Sequence, residues 1–218
     1  MHPVRVTSQA LIRSFTEPRG KIYLLYGDPL VFRLSLLLAS QSLAGGASLA
    51  VVDGCNRFDV HAITRFARER RLDPDTLLRR IFVSRGFTCY QMEAAVTDKL
   101  PAFLGHIHSR TAMIFGLLDT FYDEQAPLRE AQHILTHVLD AIRRMKQQNV
   151  SLLLTCTEWN VLPKERNRLF STLKTGMDNV YRLSVRADTS PQLFLEQHHT
   201  GVNDHGKNRT DLYEHHRQ

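Results

Sequence analysis

Three stretches of the chain, ASLAVVDG at 47–54, TAMIFGLLD at 111–119 and VSLLLTCT at 150–157, are apolar almost without interruption. A strand with one wet face alternates apolar and polar residues. An unbroken apolar run of this length is what a strand covered on both faces needs. KIYLLY at 21–26 and a shorter strand at 81–84 belong with them, and amphipathic helical segments stand between the runs. Strands that alternate with helices of ten or more residues predict an α/β domain with a largely parallel sheet and helices on both faces.

The helices are legible from their caps and periodicity. The first is expected over 31–43, stopped by Gly45-Gly46. Asp59 precedes VHAITRFARERR, with Val60, Ile63, Phe66 and Ala67 on one face. The segment CYQMEAAVTDKLPAFLGHI is expected to be helical up to a break at Pro101. The clearest helix covers 128–148, where Ile134, Leu135, Val138, Leu139, Ile142 and Met145 make one stripe. KERNRLFSTLKTG reads as a short basic helix ending at Gly176. NVYRLSV, the turn-rich RADTSP and QLFLEQ read as a terminal hairpin. The expected organisation is a lead at 1–19, a core domain at 20–200 and a polar, mobile tail at 201–218.

No apolar run approaches the roughly 20 residues that cross a bilayer, and the first twenty residues hold no apolar signal core. A cytoplasmic protein without a membrane partner is therefore expected. The three cysteines, Cys55, Cys89 and Cys156, stand singly, so neither a disulfide framework nor a zinc knuckle is suggested. A net charge of +6 favours polyanion partners.

IYLLYGDPLVFRLSLLLASQSLAGG runs strand, turn glycine, helix and glycine stop, the order of a phosphate-binding loop. A working loop has the form G-x-x-x-x-G-K-[ST]. Counting from Gly27 puts Phe32, Arg33 and Leu34 at the closing positions. Phe32 fills the place where backbone N–H groups must approach an anion. Arg33 keeps a positive charge as a planar fork, Leu34 has no hydroxyl for Mg²⁺, and Pro29 removes a donor. Gly27, Asp28 and Arg33 remain as a degenerate anion site at a helix N-terminus.

From Phe58 to Val96 the sequence FDVHAITRFARERRLDPDTLLRRIFVSRGFTCYQMEAAV resembles the RecA/RadA recombinase superfamily, in its ATPase core. The family has an F-x-x-x-x-I helix, a GLD-x-D turn, an NI-x-V-x-R-A strand and a glutamine-led helix. These match Phe58 and Ile63, then RLDPDTLLRRIFVSRGF, then YQMEAAV. LREAQHILTHVLDAIRRMKQQNVSLLLTCTE is similar to that core's long helix and following strand, and DNVYRLSV to its terminal hairpin. The resemblance covers roughly residues 20–197. It implies a RecA-like P-loop fold.

It also implies where the ATPase residues would stand. The family's catalytic glutamate falls near Cys55 or Asn56. Its magnesium-supporting carboxylate falls at Gly116, with Asp119 the nearest substitute and Asp123 and Glu124 beyond. The sensor after the next strand is replaced by TCTE. Loss of loop, metal ligand and base together implies a pseudo-ATPase with no catalytic residues and no resident metal. ATP with magnesium is kept as the alternative cofactor. FYDE could gather a hard cation, or be an acidic turn capping the next helix.

Two basic zones are candidates for DNA. The stretch 57–85 holds eight arginines against four acids. Arg65 and Arg68 share a helical face, as do Arg68 and Arg71, so a phosphate-tracking ridge or a plain solvated face would result. The second zone holds Trp159, Lys164, Arg166, Arg168 and Lys174, where the family resemblance places a DNA-binding loop and an exposed Trp could stack on a base. The second is preferred because location and chemistry agree.

His198, His199, His205, His215 and His216 crowd the C-terminal stretch and read as solvated. His133 and His137 sit at metal-pair spacing without a third ligand nearby in sequence. The function implied is that of a non-catalytic RecA-like accessory in DNA recombination or repair, binding DNA, an active paralogue, or both, as a homo- or hetero-oligomer. The alternatives are an ATP-binding regulator or weak ATPase, like the circadian-clock and signalling members of the superfamily, and a protein-binding scaffold without a DNA role.

Overall fold

A computed structural model describes residues 3–16, 20–122, 126–158, 164–185 and 190–198. The elements are β1 (Val4–Val6), α1 (Ser8–Thr16), β2 (Ile22–Gly27), α2 (Leu30–Ala44), β3 (Leu49–Asp53), α3 (Val60–Glu69), α4 (Pro74–Leu78) and β4 (Ile81–Arg85). There follow α5 (Cys89–Ala94), a π turn (Ala95–Lys99), α6 (Leu100–His106), β5 (Thr111–Phe115), α7 (Leu128–Gln147), β6 (Ser151–Thr157), α8 (Asn167–Thr175), β7 (Asn179–Ser184) and β8 (Gln192–His198).

All eight strands form one sheet in the order β1-β8-β7-β2-β6-β5-β3-β4. The six from β7 to β4 are mutually parallel, while β8 is antiparallel to both β7 and β1. The α/β class, the parallel core, the two covered faces and the terminal hairpin are thus as expected. Because side chains alternate across a strand, each central strand feeds two cores. Tyr23, Leu25, Val51, Met113 and Leu153 pack with α1, α2, α3 and α4. Leu24, Tyr26, Val52, Ile114 and Leu154 pack with α5, α6, α7 and α8. The predicted stripe of α7 is buried in full.

Several boundaries differ from expectation. The N-terminal lead is part of the fold: β1 extends the sheet beyond the hairpin, and Leu11 and Phe15 of α1 are fully buried. Pro101 does not end its helix. The preceding π turn re-routes the ladder just where proline removes a donor, and α6 continues to His106. The strand at 111 stops at Phe115, because Gly116 turns the backbone left-handed (φ +60) into a short 3₁₀ turn at Leu118–Thr120. Val60 is 40% exposed, so the buried face of α3 is narrower than its pattern suggested.

The topology fixes where a ligand crevice can open. The chain leaves β2 through α2 over one face, and leaves β5 and β6 through α7 and α8 over the other. In open α/β sheets such a reversal leaves a crevice at the carboxyl ends of the strands.

Candidate functional site

The carboxyl end of β2 carries the turn from Gly27 to Pro29 that leads into α2. Gly27 has φ +121, and a Cβ there would run into the Leu183 carbonyl of β7. The glycine therefore serves the close approach of two strands. Asp28 N–H donates to that same carbonyl at 3.0 Å. Only Asp28 and Pro29 separate β2 from α2, so Phe32 and Arg33 are helical residues and no extended loop exists to wrap an anion.

A helix N-terminus binds anions through its free N–H groups. Here Leu30 N–H donates to Asp28 Oδ1 at 2.9 Å. Val31 N–H donates to the Asp28 carbonyl at 2.9 Å, and Phe32 N–H to the Pro29 carbonyl at 3.2 Å. The first turn is closed from within, with a carboxylate where a phosphate would sit. Phe32 is only 7% exposed, stacks on Phe115 at 6.1 Å and lies beneath the Arg57 guanidinium at 5.8 Å. Arg33 is exposed and lines a cavity of about 670 Å³ together with Asp28, Asn56, Arg57 and Asp59.

The neighbouring carboxylates have different roles. Asp53, which ends β3, is buried and accepts N–H donors from Cys55 (3.2 Å), Arg57 (3.2 Å) and Phe58 (3.0 Å). It shapes the β3–α3 connection. Sequence reasoning passed over it, although an Asp at the end of an apolar run before Gly was the available signal. Asp119 sits in the 3₁₀ turn with Oδ2 buried and without a hydrogen-bond partner. Burial pushes its carboxyl above the usual range against the pull of Arg57. Burial, Asp119 and Asp53 together hold the Cys55 thiol protonated. Among the described residues no group of three or more His, Cys, Asp or Glu could hold a metal ion. Asp123 and Glu124 lie outside the described residues.

The basic zones are reduced by the fold. Arg166 is 4% exposed, and its guanidinium donates to the carbonyls of Phe121 (2.6 Å) and Ala126 (2.5 Å). It is a brace between the β5–α7 and β6–α8 connections and is unavailable to a phosphate. Lys174 donates to Glu196 Oε2 at 2.6 Å and lies over the Tyr26 ring, while Tyr26 O–H donates to the same Glu196 oxygen at 2.7 Å. Lys164 and Arg168 remain exposed, and Trp159 lies outside the described residues. On α3, Arg65 and Arg68 are exposed, but Arg71 falls past the helix end with φ +57, so Arg68 and Arg71 do not share a helical face.

His133 and His137 are in ring contact, and His137 Nδ1 lies 2.9 Å from Glu93 Oε1 on α5. His199, His205, His215 and His216 lie outside the described residues, as does most of the RADTSP turn. No described helix is long and apolar enough to cross a membrane. No protein-family model matches the chain, and no curated protein matches it.

Proposed function

We propose that this chain is a RecA-like protein without ATPase chemistry, a cytoplasmic accessory in DNA recombination or repair that acts by binding DNA, an active paralogue, or both. The observation that carries the first half is the first turn of α2, whose N–H groups are satisfied by Asp28 and Pro29 while Phe32 packs into the space beside them. A nucleotide triphosphate would have to displace a carboxylate and a buried ring at once. The DNA half rests on the family resemblance, the net charge and the exposed cations Lys164, Arg168, Arg65 and Arg68.

The deciding experiment is titration of the full chain with ATP–Mg²⁺ and, separately, with single- and double-stranded oligonucleotides across a salt series. The expected outcome is no saturable nucleotide binding and salt-sensitive oligonucleotide binding. Saturable ATP binding that Arg33→Ala abolishes would replace this reading with the nucleotide-binding regulator, which the cavity beside Arg33 and Arg57 favours. Absence of both, with a protein partner recovered, would leave the scaffold.

A further inference from the structure

We propose that the open edge of the sheet, β4, pairs antiparallel with β4 of a second copy of this chain about a two-fold axis through Val83. The hydrogen-bond pattern fixes which backbone groups are unpaired. The Arg80 carbonyl accepts from Leu49 N–H at 2.8 Å, and Gly86 N–H donates to the Asp53 carbonyl at 3.3 Å. In a parallel pair these alternate, so Phe82 and Ser84 turn their backbone groups toward β3, and Ile81, Val83 and Arg85 turn theirs outward. An antiparallel register centred on Val83 pairs Val83 with itself and each Ile81 with Arg85 of the second copy. It is the register in which all three outward residues of both copies are satisfied.

The side chains agree with it. Val83 is 43% exposed and Phe103 of α6 39%, high for apolar residues flanking one strand. Phe82 and Phe103 meet edge to face at 5.0 Å and wall a largely apolar cavity of about 540 Å³ between α6 and the strand. The two-fold sets Phe82 beside the small Ser84 of the second copy, on the α6 side of the joined sheet. It also runs the two α6 helices antiparallel, with the exposed Ala102 and Phe103 of each on the face that borders the β4 cavity. Arg85, the one charge on β4, leans toward Asp53 at 4.0 Å and away from the seam. The other edge offers no equivalent, since β1 is three residues long.

The test uses the full chain in solution. Light scattering at tens of micromolar should give twice the 25.0 kDa chain mass. Val83→Lys should lose the dimer and keep the wild-type circular dichroism. Under mild oxidation Val83→Cys should form a covalent dimer, because residues facing each other across a hydrogen-bonded antiparallel pair have Cα atoms about 5.5 Å apart, within the roughly 4.4–6.8 Å a disulfide spans. Val60→Cys, equally exposed on α3, should not. A monomeric wild type overturns the proposal, and so does a dimer that survives Val83→Lys or cross-links as readily through position 60. A monomer that instead captures an extended peptide on β4 overturns it too. None of these outcomes bears on nucleotide or DNA binding, so this proposal and the proposed function fail separately.

Discussion

The guanidinium of Arg166 donates to the main-chain carbonyl of Phe121 across 45 residues of sequence, at 2.6 Å, in a place closed to solvent. Its second donor reaches Ala126. Arg166→Ala would leave both carbonyls unpaired in the interior, at a cost of about 3 kcal/mol. Chemical denaturation should show that loss as a lower midpoint, with Lys164→Ala and Arg168→Ala staying within about 0.5 kcal/mol of wild type. Equal effects at all three positions would mean that Arg166 is no brace.

The β2–α2 turn separates packing from anion binding in the same way. Gly27→Ala puts a Cβ against the Leu183 carbonyl at φ +121 and should cost on the order of 3 kcal/mol or more. Asp28→Ala removes the cap on Leu30 N–H and should cost about 1 kcal/mol. Thermal unfolding checks both. If Asp28→Ala also creates measurable phosphate binding, the carboxylate is what shuts the helix N-terminus.

What could be read from the sequence was whatever depends on local order. The unbroken runs at β3, β5 and β6 specify strands buried on both faces, and the Ile134–Met145 stripe specifies α7, because burial on each is periodic along the chain. The misses are of another kind. β1 is three residues long and becomes a strand only because β8 is beside it. Pro101 signals a break by its own chemistry, yet a π turn before it absorbs the missing donor. Arg166 and Lys174 are indistinguishable from Arg168 in composition; which carbonyl or carboxylate each meets is set by elements 22 to 45 residues away. Only two of the four described cations proposed after β6, Lys164 and Arg168, therefore stay on the surface. Asp53 was within reach, since its three N–H donors lie two, four and five residues ahead.

Asp119 should make stability depend on pH in the unusual direction for a carboxylate. Burial, the larger influence, raises its folded pKa above the unfolded value of about 3.9, with Arg57 opposing. A raised pKa means the folded state binds the proton more tightly. The contribution is then fully present below about pH 3.9 and is lost as pH rises through the folded value. Above the unfolded value Asp119 is a liability to the fold, so at neutral pH Asp119→Asn should melt at a higher temperature than wild type. The gap should close as the pH is lowered toward 4. A gap that is constant with pH would mean that titration at this position is not its source.

The surviving cations give the sharpest check on DNA binding. Each arginine or lysine that neutralises a phosphate contributes about 0.7 to the slope of log affinity against log salt on single strands. The double change Lys164→Gln, Arg168→Gln should lower that slope by about 1.4 if both contact phosphate. Arg65→Gln with Arg68→Gln measures the α3 face by the same reading. Lys174→Gln should leave the slope unchanged and lower stability instead, because its ammonium is committed to Glu196 and Tyr26. Glu196 itself is desolvated, which raises its carboxyl, but hydrogen bonds from Lys174 and Tyr26 outweigh this and hold it below the usual range. The Lys174 contribution should therefore be present above about pH 4.3 and fade as acid protonates Glu196 through its lower folded value. If Lys174→Gln lowers the salt slope while Lys164→Gln, Arg168→Gln does not, the DNA contact lies at the β8 side of the sheet, and the loop after β6 has no part in it.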